Sequence, residues 1–479
     1  MKKHGLILLI LCAMFTSSVG TYAGIKWLDK TETAKDGAEY YEPTITEDLA
    51  KVERAYQLIL KEYVEKVNRN ELIEGAVQGM IEKLNDPYSV YLNEERAKQL
   101  NDSLDSSFEG IGAEITEVDG NIIIVAPFKN SPAEKAGLKP HDKITKINGE
   151  GVAGMDVYDV MGKIRGPKGT KVVLEIIREG IKEPLTFEVV RDTIPIETVF
   201  SKTYDHGGKK IGYIELTTFS RDTGKEFKEH LSKLEKTDIE GLIIDVRGNP
   251  GGLLSSAEEI ANELVPNQKP FVQIVGKDGN PEKIYTRLKQ KKSYPIILIM
   301  DRGSASASEV LAAALKEAGG YKTLGETTFG KGTVQQQLQL DDESHIKLTT
   351  YKWLTPDGNW IHKTGIKPDV FVMQKDLFHL HPVQTDTILK RDMNNEQISY
   401  AQRILKSLGY EPGRLDGYFD GKTENAVKAF QSSNNLPITG VIDKETIIGM
   451  EEKVKEELEK PENDQQLMMA LKLLEYQDR

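Results

Sequence analysis

From about Ile194 to Val372 the chain alternates short, almost wholly apolar runs with amphipathic stretches, and this alternation narrows what it can fold into. The runs are Lys210 to Leu216 (KIGYIEL), Gly241 to Gly248 (GLIIDVRG) and Ile296 to Gly303 (IILIMDRG). Between and after them come EFKEHLSKLEK, SSAEEIANELV and ASEVLAAALKEAGG, which repeat apolar residues at helical spacing. A strand that is apolar at consecutive positions is buried on both faces, as in a sheet covered by helices. Strand, helix, strand in this order predicts βαβ units and a largely parallel sheet. Ligand sites collect at the carboxyl ends of such strands, so the loops that leave these runs are where chemistry is expected.

One loop is Arg302 to Glu309 (RGSASASE). A serine on a tight strand-to-helix turn is exposed, and the adjacent N–H groups point at any developing oxyanion. Ser306 to Glu309 also spells S-x-x-E, a capping box that satisfies the N–H groups at a helix start, and both readings can hold at once. A serine nucleophile needs a base, and none of the eight histidines stands in a glycine-flanked catalytic motif. A lysine base is the recognised variant; it must shed its charge, which asks for a dry pocket without a close carboxylate. Lys331 fits best, between two glycines in Thr327 to Gln335 (TTFGKGTVQ) at the start of an alternating strand. A period of two puts Lys331, Thr333 and Gln335 on one face, where Gln335 can orient the amine without adding charge. A lone lysine is more often a solvated surface cation, and spacing alone leaves that open. The third loop, Asp245 to Gly252 (DVRGNPGG), frees its backbone to turn N–H groups inward, as an oxyanion site requires; a plain turn has the same composition.

The flanks add further modules, and a length of 479 residues suggests three or four domains. Lys2 and Lys3 precede the apolar run Leu6 to Phe15 and a small, polar stretch, the layout of a signal peptide or an uncleaved membrane anchor over 1–24. The body is therefore expected outside the cytoplasmic membrane, anchored or secreted. Cys12 is the only cysteine, which excludes an intramolecular disulfide, a Cys-rich metal site and a catalytic thiol in the mature body. A formal charge of -12 argues against nucleic acid as a partner. No P-loop, HExxH helix or dinucleotide glycine pattern occurs in the required context, so no metal or cofactor is expected. Helical spacing over 25–104 reads as a cap or dimer surface, β-branched runs around one helix fill 105–193, and EEKVKEELEK onward reads as a charged helix, broken at Pro461, in a C-terminal helical tail over 453–479.

GSASASEV at 303–310, followed by Lys331 and then Gln335, resembles the carboxyl-terminal processing proteases, tail-specific serine peptidases with a Ser-Lys-Gln site. The match extends to DVRGNPGGLL (245–254), GMIEKLNDPYSVYL (79–92) and LTPDGNWIHKTGIKPDV (354–370). The resemblance implies a multidomain α/β protein: a helical N-terminal region, a PDZ domain, a crotonase-like βαβ protease core at 194–385 and a small α-helical peptidoglycan-binding-like domain at 392–452. It makes Ser306 the nucleophile, Lys331 the general base and Gln335 the residue that positions it. The backbone N–H groups of Ala307 and of Gly251 or Gly252 become the oxyanion hole.

Phe108 to Ala113 and SPAEKAGLKPHDKITKING (131–149) look like a PDZ domain. Gly110, Ile111, Gly112 and Ala113 can then form a backbone nest for a terminal carboxylate, with Val157 and Val160 lining a side-chain pocket. A β-rich packing domain without ligand is the alternative. Arg165, at the end of that helix, is expected to link PDZ occupancy to the catalytic domain by a salt bridge or carbonyl contact. Ala401 to Thr446 resembles a peptidoglycan-binding fold, with dimerisation as its other reading. The implied partners are proteins with accessible C-terminal tails, cell-wall peptidoglycan and a second copy of the chain. The competing function is a catalytically silent PDZ and wall-binding scaffold in which Ser306 only caps its helix.

Overall fold

The computed structural model describes residues 47–476, apart from 119, 129, 156, 179, 180, 182, 341–343 and 386. The expected export segment at 1–24, with Cys12, lies outside the described residues. No helix among the described residues is long and apolar enough to cross a membrane. The chain divides into two compact units, Met1–Met80 and Ile81–Arg479.

The first unit carries helix α1 (Glu47–Glu62) and most of α2 (Arg69–Glu82); Leu49, Val52, Leu58 and Ile59 of α1 are exposed. The second unit opens on a turn at residues 85–89, followed by β1 (Val90–Leu92) and α3 (Glu94–Leu104). In the turn, Asp86 Oδ1 accepts from the Tyr88 N–H at 3.1 Å and Oδ2 accepts from Ser89 Oγ at 2.6 Å.

A small β-rich module follows: β2 (Ser107–Gly110), β3 (Ala113–Val118), β4 (Asn121–Pro127), α4 (Pro132–Ala136), β5 (Lys143–Ile147), β6 (Glu150–Gly151), α5 (Val157–Ile164), β7 (Lys171–Ile177), β8 (Leu185–Val190) and β9 (Asp192–Pro195). Its sheet runs β3-β4-β5-β7-β8, with β6 on β5, and β2 pairs antiparallel with β9. In β7 every second residue is buried, so Val172, Leu174 and Ile176 face one core with Ile124, Ile144 and Val160.

The largest domain contains β10 (Val199–His206), β11 (Lys209–Leu216), α6 (Thr223–Glu235), β12 (Gly241–Asp245), α7 (Leu254–Leu264), β13 (Val272–Val275), β14 (Pro281–Ile284), β15 (Ile296–Met300), α8 (Ala307–Ala313), β16 (Lys322–Gly325), β17 (Thr333–Gln339), β18 (His345–Leu354) and β19 (Val370–Phe371). The main sheet has the order β10-β11-β12-β15-β16-β19 and is parallel from β11 to β19, as the alternation of apolar runs requires. Successive strand residues feed opposite cores. Leu242, Ile244, Leu298 and Met300 pack against Phe227, Leu231, Ile260 and Leu311 of α6, α7 and α8. A second sheet, β1-β18-β13-β14 with β17 on β18, carries the lysine loop.

Ile243, Ile297 and Ile299 face the other way, and there the structure departs from the sequence reading. After α9 (Glu396–Ser407), α10 (Gly421–Ser433) and α11 (Lys444–Leu458), the chain ends in α12 (Gln465–Tyr476). This last helix is no charged tail: Leu467, Ala470, Leu471 and Leu474 recur at helical spacing and close the second face of the sheet. The three helices before it form their own core around Phe419 and Phe430. Asp420 and Asp443 accept from N–H groups at the starts of α10 and α11.

Candidate active site

The loops after β12 and β15 meet at the carboxyl end of the sheet. Asn249, fully buried, locks them together: Nδ2 donates to Leu216 O at 2.8 Å, and its backbone carbonyl accepts from the Ala305 N–H at 3.0 Å and from Ser308 Oγ at 2.9 Å. Ser304 Oγ adds a 2.7 Å bond to Val246 O. Ser306 then enters α8 at φ 53°, ψ −114°, a conformation that costs a non-glycine residue on the order of 1–3 kcal/mol. Such strain persists only where the surroundings impose it, and here two loops do.

The Ser306–Glu309 capping-box arrangement is present. Its Glu309 half is a 2.9 Å bond from the Ser306 N–H to Oε2, while the hydroxyl stops short of a helix-capping hydrogen bond. Glu309 is completely buried and does more than cap. Oε2 also accepts from the Lys331 N–H at 2.8 Å, and Oε1 accepts from the Gly330 N–H at 2.7 Å and Thr328 Oγ at 2.6 Å. One carboxylate thus fixes the main chain of both Ser306 and Lys331. The Lys331 carbonyl is held as well, accepting from Trp353 Nε1 at 2.8 Å.

Ser306, Ala307, Gly252, Lys331, Thr333 and Gln335 line one cavity of about 300 Å³, whose apolar walls include Leu253, Leu254 and Val310. Burial pushes the Lys331 ammonium below the ordinary lysine range, and the Lys347 cation pushes the same way; Glu309 and Asp86 pull it back. Lys331 Nζ makes no hydrogen bond or ion pair with a described residue. It stands 5.0 Å from the centre of the Tyr88 ring, on the turn before β1.

The N–H groups of Ala307 and Gly252 donate to no group among the described residues, and both residues line the cavity. Gly251 differs: its N–H donates to Asn249 Oδ1 at 2.9 Å, so of the two glycines only Gly252 keeps a free donor. Gly252 lies at φ 144°, and a Cβ there would stand 2.2 Å from Phe219 O.

Gln335 meets its expected face but not its expected partner. The register shift at Val334 and Gln335 leaves its extra residue, Thr350, on β18, so β17 keeps its period of two; Gln335 Nε2 donates to Thr333 Oγ1 at 3.1 Å and Thr349 Oγ1 at 3.0 Å rather than serving Lys331. A Ser–His pair escaped the sequence reading: Ser201 Oγ lies 2.7 Å from His230 Nδ1, but neither residue lines this cavity. A larger cavity, about 480 Å³ in volume, lies around Arg247, whose guanidinium is clamped between Asp245 and Asp464.

A model of peptidase family S41 matches residues 210–372. The carboxy-terminal processing protease CtpB of Bacillus subtilis is 51% identical over 465 residues, which is 96% of this chain and 97% of that protein. The chain belongs to the carboxy-terminal processing proteases. It is a serine protease. The CtpA protease of Bacillus subtilis is 41% identical over 88% of this chain and 90% of that protein. The photosystem II D1 C-terminal processing protease, a solved structure, is 30% identical over 68% of this chain and 86% of that one, with a TM-score of 0.43. Other models match at 14–96 (activating protease CtpB N-terminal domain), 123–178 (PDZ domain) and 394–448 (putative peptidoglycan binding domain).

In the PDZ domain of the protease, the N–H groups of Ile111 and Gly112 donate to nothing among the described residues, next to buried Gly110 and half-buried Ala113. Val157 is half-buried, but Val160 is completely buried in the domain's own core and so lines no open pocket. Arg165 also departs from expectation. It is exposed and stacks 4.8 Å from the ring centre of Phe108 on β2, with no salt bridge to the catalytic domain among the described residues. An arginine at a helix end finds the nearest aromatic face, a contact that charge patterning does not reveal.

Proposed function

We propose that the protease is an exported endopeptidase that cleaves proteins presented by their C-terminal tails, with Ser306 as nucleophile and Lys331 as general base. The observation that carries the reading is the shared cavity: a strained serine, a lysine whose charge is disfavoured by burial, and two unused backbone donors line it together. Lys331 takes the Ser306 proton as Oγ attacks the peptide carbonyl; Nζ, which rests 5.0 Å from the Tyr88 ring centre without a hydrogen bond to Ser306, closes on Oγ for that step. The Ala307 and Gly252 N–H groups hold the oxyanion, Lys331 returns the proton to the leaving amine, and water then releases the acyl group. Gln335, which lines the same cavity and is held by the Thr333 and Thr349 hydroxyls, is the residue that positions the base once Nζ approaches Ser306.

Substrate tails enter through the PDZ domain, where the free N–H groups of Ile111 and Gly112 support capture of a terminal carboxylate. The helical module at 392–452 holds the enzyme to peptidoglycan, which a pull-down with purified sacculi checks. Exposed apolar residues on α1 support a homodimer. The test of the whole is cleavage of an unfolded, tail-bearing protein by Ser306→Ala and Lys331→Ala: either change should cost several orders of magnitude in rate. Undiminished cleavage by both would remove the proposal.

A further inference from the structure

We infer that Tyr88 is a positioning residue for the base: its ring is the resting seat of the Lys331 ammonium, which the side chain leaves for Ser306 only as the neutral amine. This rests on the reading of Lys331 as general base. The geometry has three parts. Nζ lies 5.0 Å from the ring centre, within the range at which an aromatic face attracts a cation, and it has no other hydrogen-bonding or ion-pair partner among the described residues. The Lys331 main chain is pinned at both its N–H and its carbonyl, so only the side chain can travel. The ring is anchored independently of the lysine: Ser89 Oγ accepts from the Thr349 N–H at 3.0 Å, β1 pairs with β18, and His362 packs edge-on against Tyr88 at 6.3 Å.

The attraction of a ring quadrupole acts on an ammonium and not on a neutral amine, so the seat discriminates between protonation states. The protonated side chain stays over Tyr88, and loss of the proton frees it to approach the nucleophile. The charged groups that face Nζ from the packed elements act in both directions: Lys347 on β18 disfavours the cation, whereas Glu309 on α8 and Asp86 on the turn favour it. Tyr88 adds to the second set.

The experiment is an NMR titration of the full chain labelled with ¹³C at lysine Cε, with the Lys331 signal assigned by its loss in Lys331→Arg. Tyr88→Leu should lower the Lys331 midpoint by about half a pH unit to one and a half units, the equivalent of one cation–π contact. Tyr88→Phe, which keeps the ring, should titrate with the parent, and Tyr88→Trp should raise the midpoint. The acid limb of kcat/KM should move with the NMR midpoint in each variant. An unchanged or raised midpoint in Tyr88→Leu, or an equal fall in Tyr88→Phe, overturns the inference. If Tyr88→Leu does not fold, the decision passes to Tyr88→Trp, where an unmoved midpoint has the same force. The titration needs no turnover. Cleavage that survives Ser306→Ala and Lys331→Ala therefore defeats the catalytic reading alone, and an unmoved midpoint in a Lys331-dependent enzyme defeats the seat alone.

Discussion

Replacing Glu309 with glutamine separates its roles. The carboxylate accepts four hydrogen bonds in a site closed to water, from Ser306, Lys331 and Gly330 N–H groups and Thr328 Oγ. An amide keeps one oxygen. Its cheaper orientation leaves that oxygen on Ser306 and Lys331 and turns the NH₂ toward Thr328, whose hydroxyl can accept. The Gly330 N–H is then stranded, at about 1–3 kcal/mol for a buried unpaired donor, and the Thr328 hydroxyl, which already accepts from the Ile366 N–H, loses the acceptor of its own proton, so this figure is a lower bound. At roughly 2–4 °C per kcal/mol, the melting transition of the catalytic domain should fall by about 2–12 °C. Thermal unfolding followed by tryptophan fluorescence reads this well, because Trp353 and Trp360 donate to the carbonyls of Lys331 and Gly332. The electrostatic effect has a definite sign. Glu309 raises the Lys331 pKa, so Glu309→Gln should lower it further and shift the acid limb of kcat/KM to lower pH. A variant that melts with the parent, or whose acid limb moves upward, refutes the reasoning.

Lys347 acts oppositely: its charge depresses Lys331, so Lys347→Met should move the acid limb to higher pH and reduce turnover at neutral pH, as a pH–rate profile would record. Gly252→Ala would force a Cβ to 2.2 Å from Phe219 O and displace the free donor. A fall in kcat of about 10²- to 10³-fold, the usual effect of losing one oxyanion donor, is expected in steady-state assays.

Much of the architecture was legible because burial writes a period into the strands. Three apolar runs separated by helices dictated the parallel sheet, and the loops after β12 and β15 had to meet at its carboxyl end. The Gly252 donor was legible as one of two glycines, but the choice between them was not, since it turns on Asn249 Oδ1 occupying the Gly251 N–H. Glu309 read as a cap alone because its bonds to Gly330 and Lys331 cross 21 and 22 residues of sequence. The period of two put Gln335 on the cavity wall with Lys331, but the Thr333 and Thr349 hydroxyls, the second from β18, take its amide, a competition that spacing does not reveal. The charged run EEKVKEELEK before the last helix masked the apolar spacing of Leu467, Leu471 and Leu474, whose partners are the sheet residues Ile243, Ile297 and Ile299. Tyr88 stood in a quoted motif without a role, because its partner lies 243 positions away and meets it only through the pairing of β1 with β18.

The most direct measurement is to quench the reacting enzyme in acid during cleavage of a tail-bearing protein and map the covalent adduct by peptide mass spectrometry. The mechanism predicts a substrate fragment joined as an ester to Ser306, absent when Lys331 is replaced by alanine. An adduct on any other side chain, or one that forms as fast without the Lys331 amine, would contradict it.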